Sequence, residues 1–127
     1  MAFSLNRVVL SVLLLAALVT PGFAQAVQSS LTLSLGGDAE QHNVQYDCGE
    51  FGPLSIAYIN ASPNFLALVP YEDQTLIFTS VLAGSGVRYA SGKYEWRTKG
   101  TEASLTDLTA ETDTPPLATC SEVTNTP

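Results

Sequence analysis

Residues 85–100 read SGVRYASGKYEWRTKG and gather one flanked hydroxyl, Ser85, with Arg88, Lys93, Arg97 and Lys99. An ammonium offers three hydrogen-bond donors and a hydroxyl one. Brought side by side, Ser85 and Lys99 would donate charge-assisted bonds to a pair of carboxylates. Catalytic chemistry fits the chain less well. Ser85 with His42 as base would need G-x-S-x-G around the serine, but Ala83 and Val87 stand where the glycines belong. Glu72 and Asp73 are adjacent and belong near a turn, which does not make them the facing carboxyls of a glycosidase. One histidine and two distant cysteines do not form a zinc ligand set, so neither metal nor cofactor is expected.

The elements that must position Ser85 and Lys99 come next. Ser91-Gly92 is a hairpin turn signal flanked by alternating residues. A two-residue turn there predicts the pairs Ala90–Lys93, Tyr89–Tyr94, Arg88–Glu95 and Val87–Trp96, matching aromatic, charged and apolar side chains across the strands. Extended, that register sets Ser85 opposite Thr98 and Gly84 opposite Lys99, at the open end of the hairpin. Tyr94, Trp96 and Thr98 then face inward, and Glu95, Arg97 and Lys99 outward. Small neighbours, Gly84, Gly86 and Gly100, would let another protein approach the backbone closely.

Alternation dominates the rest of the chain, and no helical period of useful length appears. Leu31, Leu33 and Leu35 alternate up to Gly36-Gly37 and predict a first strand. Val44, Tyr46 and Cys48 predict another, as do Leu54, Ile56 and Tyr58. Apolar runs follow at residues 65–69, closed by Pro70, and at 75–82, centred on Ile77-Phe78. Leu105 and Leu108 mark a weaker segment, residues 117–120 a last strand, and the polar tail from Ser121 is expected to fray. His42 falls in a polar, loop-like stretch. About eight short strands imply an all-β antiparallel domain, a small barrel or a sandwich. A barrel would leave no open strand edges.

Arg7 is the only charge before residue 38, and an apolar run at residues 8–19 follows it, then Pro21 and Gly22. That order is the one of a secretory signal, and the run is shorter than the roughly 20 residues of a membrane span. Cleavage fits after Ala24 or after Ala26, with Ala24 preferred. No cysteine lies near either point, so no lipoprotein anchor is expected. The domain organisation is thus a signal peptide at 1–24, an N-terminal segment with a first strand at 25–43, a barrel domain at 44–120 and a polar tail at 121–127. The mature product is expected to be soluble, in the periplasm or secreted, with its oligomeric state open.

Without Arg7, four basic residues face twelve acidic ones, a net charge of −8. Such a chain is a poor partner for phosphate backbones, which excludes nucleic-acid binding. At 127 residues a multi-domain enzyme is excluded as well. Export would carry Cys48 and Cys120 into an oxidising compartment, where two cysteines usually pair, two free thiols being the alternative.

The elements SG-x-RY, at Ser85 to Tyr89, and [ST]-K-G-x-E-A, at Thr98 to Ala103, resemble in sequence and spacing those of the C-type lysozyme inhibitors of bacteria, known as membrane-bound or periplasmic lysozyme inhibitors. Tyr46-Asp47-Cys48 resembles the family's Y-x-C opening and Cys120 its closing cysteine, so the likeness runs over most of the mature chain. The resemblance implies an eight-stranded antiparallel barrel whose ends a Cys48–Cys120 disulfide joins. It implies c-type lysozyme as the partner, with Ser85 and Lys99 entering its active-site cleft. By the same motif positions Gly86, Arg88, Tyr89, Gly100 and Glu102 are candidate binding residues. One departure stands out. The family more often has an aromatic, usually tryptophan, directly before [ST]-K-G, where this chain has Arg97. Trp96, one place earlier, reads as a core residue. Two other readings stay open: a barrel that binds a small apolar ligand in its interior, and an inhibitor fold turned to another envelope enzyme.

Overall fold

The computed structural model describes Gly22 and residues 29–124, and the sequence-based signal peptide and its cleavage points lie outside the described residues. The barrel falls within residues 33–127. Its strands are β1 (Glu40–Asp47), β2 (Pro53–Ala61), β3 (Asn64–Tyr71), β4 (Gln74–Val81), β5 (Val87–Ser91), β6 (Tyr94–Lys99), β7 (Glu102–Asp107) and β8 (Ala118–Glu122). Each pairs antiparallel with its neighbours in chain order, and β1 meets β8 through Tyr46–Glu122 and Asp47–Ser121 to close the barrel. Closure leaves no edge open to another chain.

The alternation read from the sequence selects what lies inside. Tyr46, Ile56, Tyr58, Val69, Phe78, Tyr89, Trp96 and Leu105 share one buried cluster, and Trp96, Phe78, Ile56, Leu105 and Val69 are fully enclosed. Side chains thus fill the interior, as the diameter of an eight-stranded barrel allows, and they occupy the space a ligand would need. The polar atoms among them are satisfied. Trp96 Nε1 donates to the Tyr58 hydroxyl at 2.9 Å, and the Tyr46 and Tyr58 hydroxyls share a hydrogen bond of 3.0 Å. Cys48 and Cys120 form a disulfide that ties the end of β1 to β8 across 72 positions of sequence.

Several expectations need correction. Leu31, Leu33 and Leu35 form no strand; Leu31 and Leu33 stand 67% and 48% exposed, and the first strand begins at Glu40. Alternation alone lacked a partner strand there, because the barrel closes without it. His42 is not in a loop but in β1, paired with Tyr58 and stacked on its ring at a centroid distance of 5.2 Å. β3 continues through Pro70, which needs no donor where it stands, to Tyr71, and Glu72-Asp73 make the turn themselves. Ser121 and Glu122 do not fray but complete β8, held by pairing to β1.

The hairpin register also differs. Ser91 pairs with Tyr94, Ala90 with Glu95, Tyr89 with Trp96, Arg88 with Arg97 and Val87 with Thr98. The turn is therefore Gly92-Lys93, not Ser91-Gly92, with the positive φ of 54° at Gly92. A glycine at the first central position suits a type II′ turn, one of the two types whose twist matches that of the flanking strands. The shift is two residues, so every side chain keeps its face. Trp96 points inside, and Glu95, Arg97 and Lys99 are on the outer face, as the sequence implied, with Glu95 buried there in its contact with Arg88.

Candidate functional site

Residues 82–86 link β4 to β5 over the open end of the hairpin, and all of them are exposed. Gly86 is what brings the loop back to β6. Its φ is +65°, and a Cβ added there would overlap the Thr98 carbonyl oxygen and lie 3.3 Å from Lys99 Cβ. Only glycine tolerates both the left-handed backbone and that approach. Ser85 is thereby set beside the end of β6, where Lys99 begins the Gly100-Thr101 turn into β7. The two-residue shift gives Thr98 to Val87 as its partner, so Ser85 is not opposite Thr98 as expected; it lies in the loop before β5, and its neighbour Gly86 is the residue that abuts Thr98 and Lys99.

The four cations of the hairpin are not equivalent. Arg88 is bound by Glu95, its Nε at 2.8 Å and its Nη2 at 2.5 Å from Oε2. Lys93 is bound by Asp107 at 2.7 Å. That contact raises the Lys93 ammonium and, with the Thr109 hydroxyl and amide, lowers the Asp107 carboxyl to about 2. Arg97, half-buried, donates through Nη2 to the Ser85 carbonyl at 3.2 Å. Lys99 is exposed and, among the described residues, makes neither an ion pair nor a side-chain hydrogen bond. It borders an open groove of about 260 Å³ on the outer face of β6, β7 and β8, with Arg97, Glu102, Ser104 and Thr119.

The other sequence-derived candidates divide. Gly100, with φ +61°, forms the turn after Lys99, and Glu102 faces Lys99 across it while accepting a bond from Ser121 Oγ at 3.2 Å. Tyr89 is different: it is 8% exposed and packs on Tyr58 inside the barrel, and burial raises its hydroxyl above the usual range. It supports the hairpin from within. Sequence reasoning missed Leu82. It stands 96% exposed just before the Gly84-Ser85-Gly86 stretch, with Val87, 44% exposed, just after. Its only sequence signal was position, at the last place of an apolar run that outlasts its strand.

These features define a class: a small closed antiparallel barrel, packed within, that carries its positive side chains on the outer face of one hairpin. The chain belongs to the family described as membrane-bound lysozyme-inhibitor of c-type lysozyme, whose model matches residues 46–114, and that family is one of inhibitors, not of enzymes. Relatives named membrane-bound lysozyme inhibitor of C-type lysozyme are 43% identical over 76 residues in Pseudomonas aeruginosa and 41% identical over 78 residues in Cupriavidus necator. The matches cover 58% and 61% of this chain and 60% and 62% of the relatives, so the chain spans about three fifths of their length. A solved crystal structure of Pseudomonas aeruginosa MliC in complex with hen egg white lysozyme is similar with a TM-score of 0.60 and 37% identity, covering 78% of this chain and 99% of that one.

Proposed function

We propose that this protein inhibits a c-type lysozyme by presenting Lys99 and Ser85 to the enzyme's catalytic carboxyl pair. Such an enzyme hydrolyses its glycan with one carboxyl as general acid and a second as nucleophile or stabiliser. A cation and a hydroxyl lodged between them would engage both and displace substrate. The observation that carries the reading is that, among the described residues, Lys99 alone of the hairpin cations has no side-chain hydrogen-bond or ion-pair partner. Arg88 and Lys93 are already neutralised locally, whereas the Lys99 ammonium keeps its donors free for a carboxylate. The family and the lysozyme complex of the solved relative support the choice of enzyme.

The reading extends to the surroundings of the site. Gly86 and Gly100 shape the two turns, Arg88 and Glu102 flank the donors, and Tyr89 holds the strand beneath them. The protein acts in the cell envelope after export, as a soluble form released near Ala24; N-terminal sequencing of the mature chain checks the cleavage point.

Titration of the oxidised protein into c-type lysozyme acting on bacterial cell walls tests the function. Stoichiometric loss of activity is expected. Removing one partner of a desolvated charge pair typically costs 2–5 kcal/mol, so Lys99→Ala should weaken inhibition by roughly thirty-fold or more, and Ser85→Ala by less. Full enzyme activity in the presence of folded, oxidised protein would overturn the reading.

A further inference from the structure

We propose that Arg88 and Arg97 form a two-guanidinium clamp that fixes the 82–86 loop before any partner arrives, which makes Arg97 a positioning residue for Ser85. The proposal rests on the reading of that loop as inhibitory, but its central measurement does not need lysozyme.

Three observations converge. The first is that the loop lacks ties of its own: among the described residues, no backbone–backbone hydrogen bond outside the strands involves residues 82–86. A five-residue exposed loop with two glycines is then expected to be mobile, and ordering it on binding would cost affinity. The second is that both hydrogen bonds it does accept come from guanidinium groups, Arg88 Nη1 on the Leu82 carbonyl and Arg97 Nη2 on the Ser85 carbonyl, each at 3.2 Å. One arginine grips the start of the loop and the other grips the residue to be presented.

The third is the placement of these arginines directly opposite each other in the β5–β6 ladder. Like charges in that position destabilise a sheet unless something answers them. Glu95, itself only 8% exposed, takes Nε and Nη2 of Arg88 and leaves Nη1 for the Leu82 carbonyl. Arg97 has no carboxylate partner among the described residues and donates instead to the Ser85 carbonyl. The planar guanidinium, with five donors in a fixed fork, suits such a role better than an aromatic ring could. Position 97, where the family more often has an aromatic side chain, thus holds the presenting loop from its own strand.

Backbone 15N order parameters of the free protein test the clamp. Arg97→Met keeps an unbranched stem without a donor; Arg97→Lys keeps a cationic donor. In the unaltered protein, Ser85 and Gly86 are expected near the rigid value of about 0.85, falling below about 0.6 in Arg97→Met and largely restored in Arg97→Lys. The β-strand values and melting temperature should hardly move. Inhibition by Arg97→Met should weaken roughly ten-fold, mainly through slower productive association, and recover in Arg97→Lys. Unchanged order at residues 84–86 in Arg97→Met, or a loop already mobile in the unaltered protein, would overturn the clamp. A rigid loop that Arg97→Met loosens, in a protein that never inhibits lysozyme, would uphold the clamp and overturn the choice of enzyme.

Discussion

Leu82 keeps 96% of its surface in water one residue past the end of β4. Burying a leucine is worth about 1.5–3 kcal/mol, and the folded barrel gains none of it here. Its main chain is nonetheless held, since Arg88 binds the Leu82 carbonyl. An apolar side chain presented on a held backbone beside the Ser85 loop is suited to burial in a complex. A partner that closes over it would gain the burial energy that the free barrel forgoes. Leu82→Asp should therefore leave the melting temperature within a degree or two while weakening lysozyme inhibition by roughly ten-fold or more. Equal inhibition by both forms would place Leu82 outside the interface.

At the scale of elements, the β5–β6 hairpin and its flanking turns decide where the donors sit. Gly86→Ala is the most direct probe of that geometry. A side chain at φ +65° is strained, and its Cβ would overlap the Thr98 carbonyl. The loop must then lift from β6 and carry Ser85 away from Lys99. Inhibition should fall by at least ten-fold while far-UV circular dichroism remains that of the barrel; a fully active Gly86→Ala protein would mean that the close approach is not needed. The disulfide belongs to this scale too. It ties the end of β1 to β8, beside a short seam of two paired positions and a Val123 N–H bond to the Gln45 carbonyl. A closed loop of this length is worth about 4 kcal/mol in the chain-entropy model. For a domain of this size that corresponds to roughly 15–30 °C in melting temperature. Reduction followed by a thermal melt checks it, and an unchanged midpoint would contradict the role assigned to the bridge.

The same hairpin shows what the sequence could and could not reveal. Arg88 and Glu95 do bind each other, as their charges suggested, but they do so diagonally, because Arg88 faces Arg97 and Glu95 faces Ala90. Long side chains reach diagonal neighbours as readily as direct ones, so charge matching fixed the face and left the register open by two. The choice between Gly92 as first or second turn residue carried the difference. The strands that pack the core were legible because tyrosine, tryptophan and leucine alternate with polar residues there. The segment at residues 31–35 had the same alternation and no strand to pair with. Lys99 and Ser85 were legible as residue types toward the open end of the hairpin, where Lys99 ends β6 and Ser85 precedes β5. The bonds from Arg88 and Arg97 to loop carbonyls were not, since a guanidinium's acceptor on a backbone leaves no mark in the sequence.

Seen as a whole, the barrel separates two chemistries. Its positive side chains in the described residues all stand on β5, β6 and the turn between them, outside. Its interior instead holds uncharged hydroxyls, with Tyr58 at the centre, accepting from Trp96 Nε1 and sharing a bond with Tyr46. Burial raises the hydroxyl pKa of Tyr46, Tyr58 and Tyr89, because an ionised phenolate would lose its hydration inside the core. For groups raised in the folded state, the linked stability is fully present below the unfolded value of about 10 and is lost as pH climbs above it. These tyrosines should therefore ionise together with unfolding, above about pH 10 and not before. Tyrosinate absorbance followed against pH, beside the emission of the single tryptophan, Trp96, reads both events. Tyr58→Phe leaves Trp96 Nε1 without its acceptor and the Tyr46 hydroxyl without its hydrogen-bond partner. It should cost about 1–3 kcal/mol and move the alkaline transition to lower pH. If all five tyrosines titrate in a single step while Trp96 emission stays native, water reaches these hydroxyls in the folded barrel, and the packed interior cannot be what holds their protons.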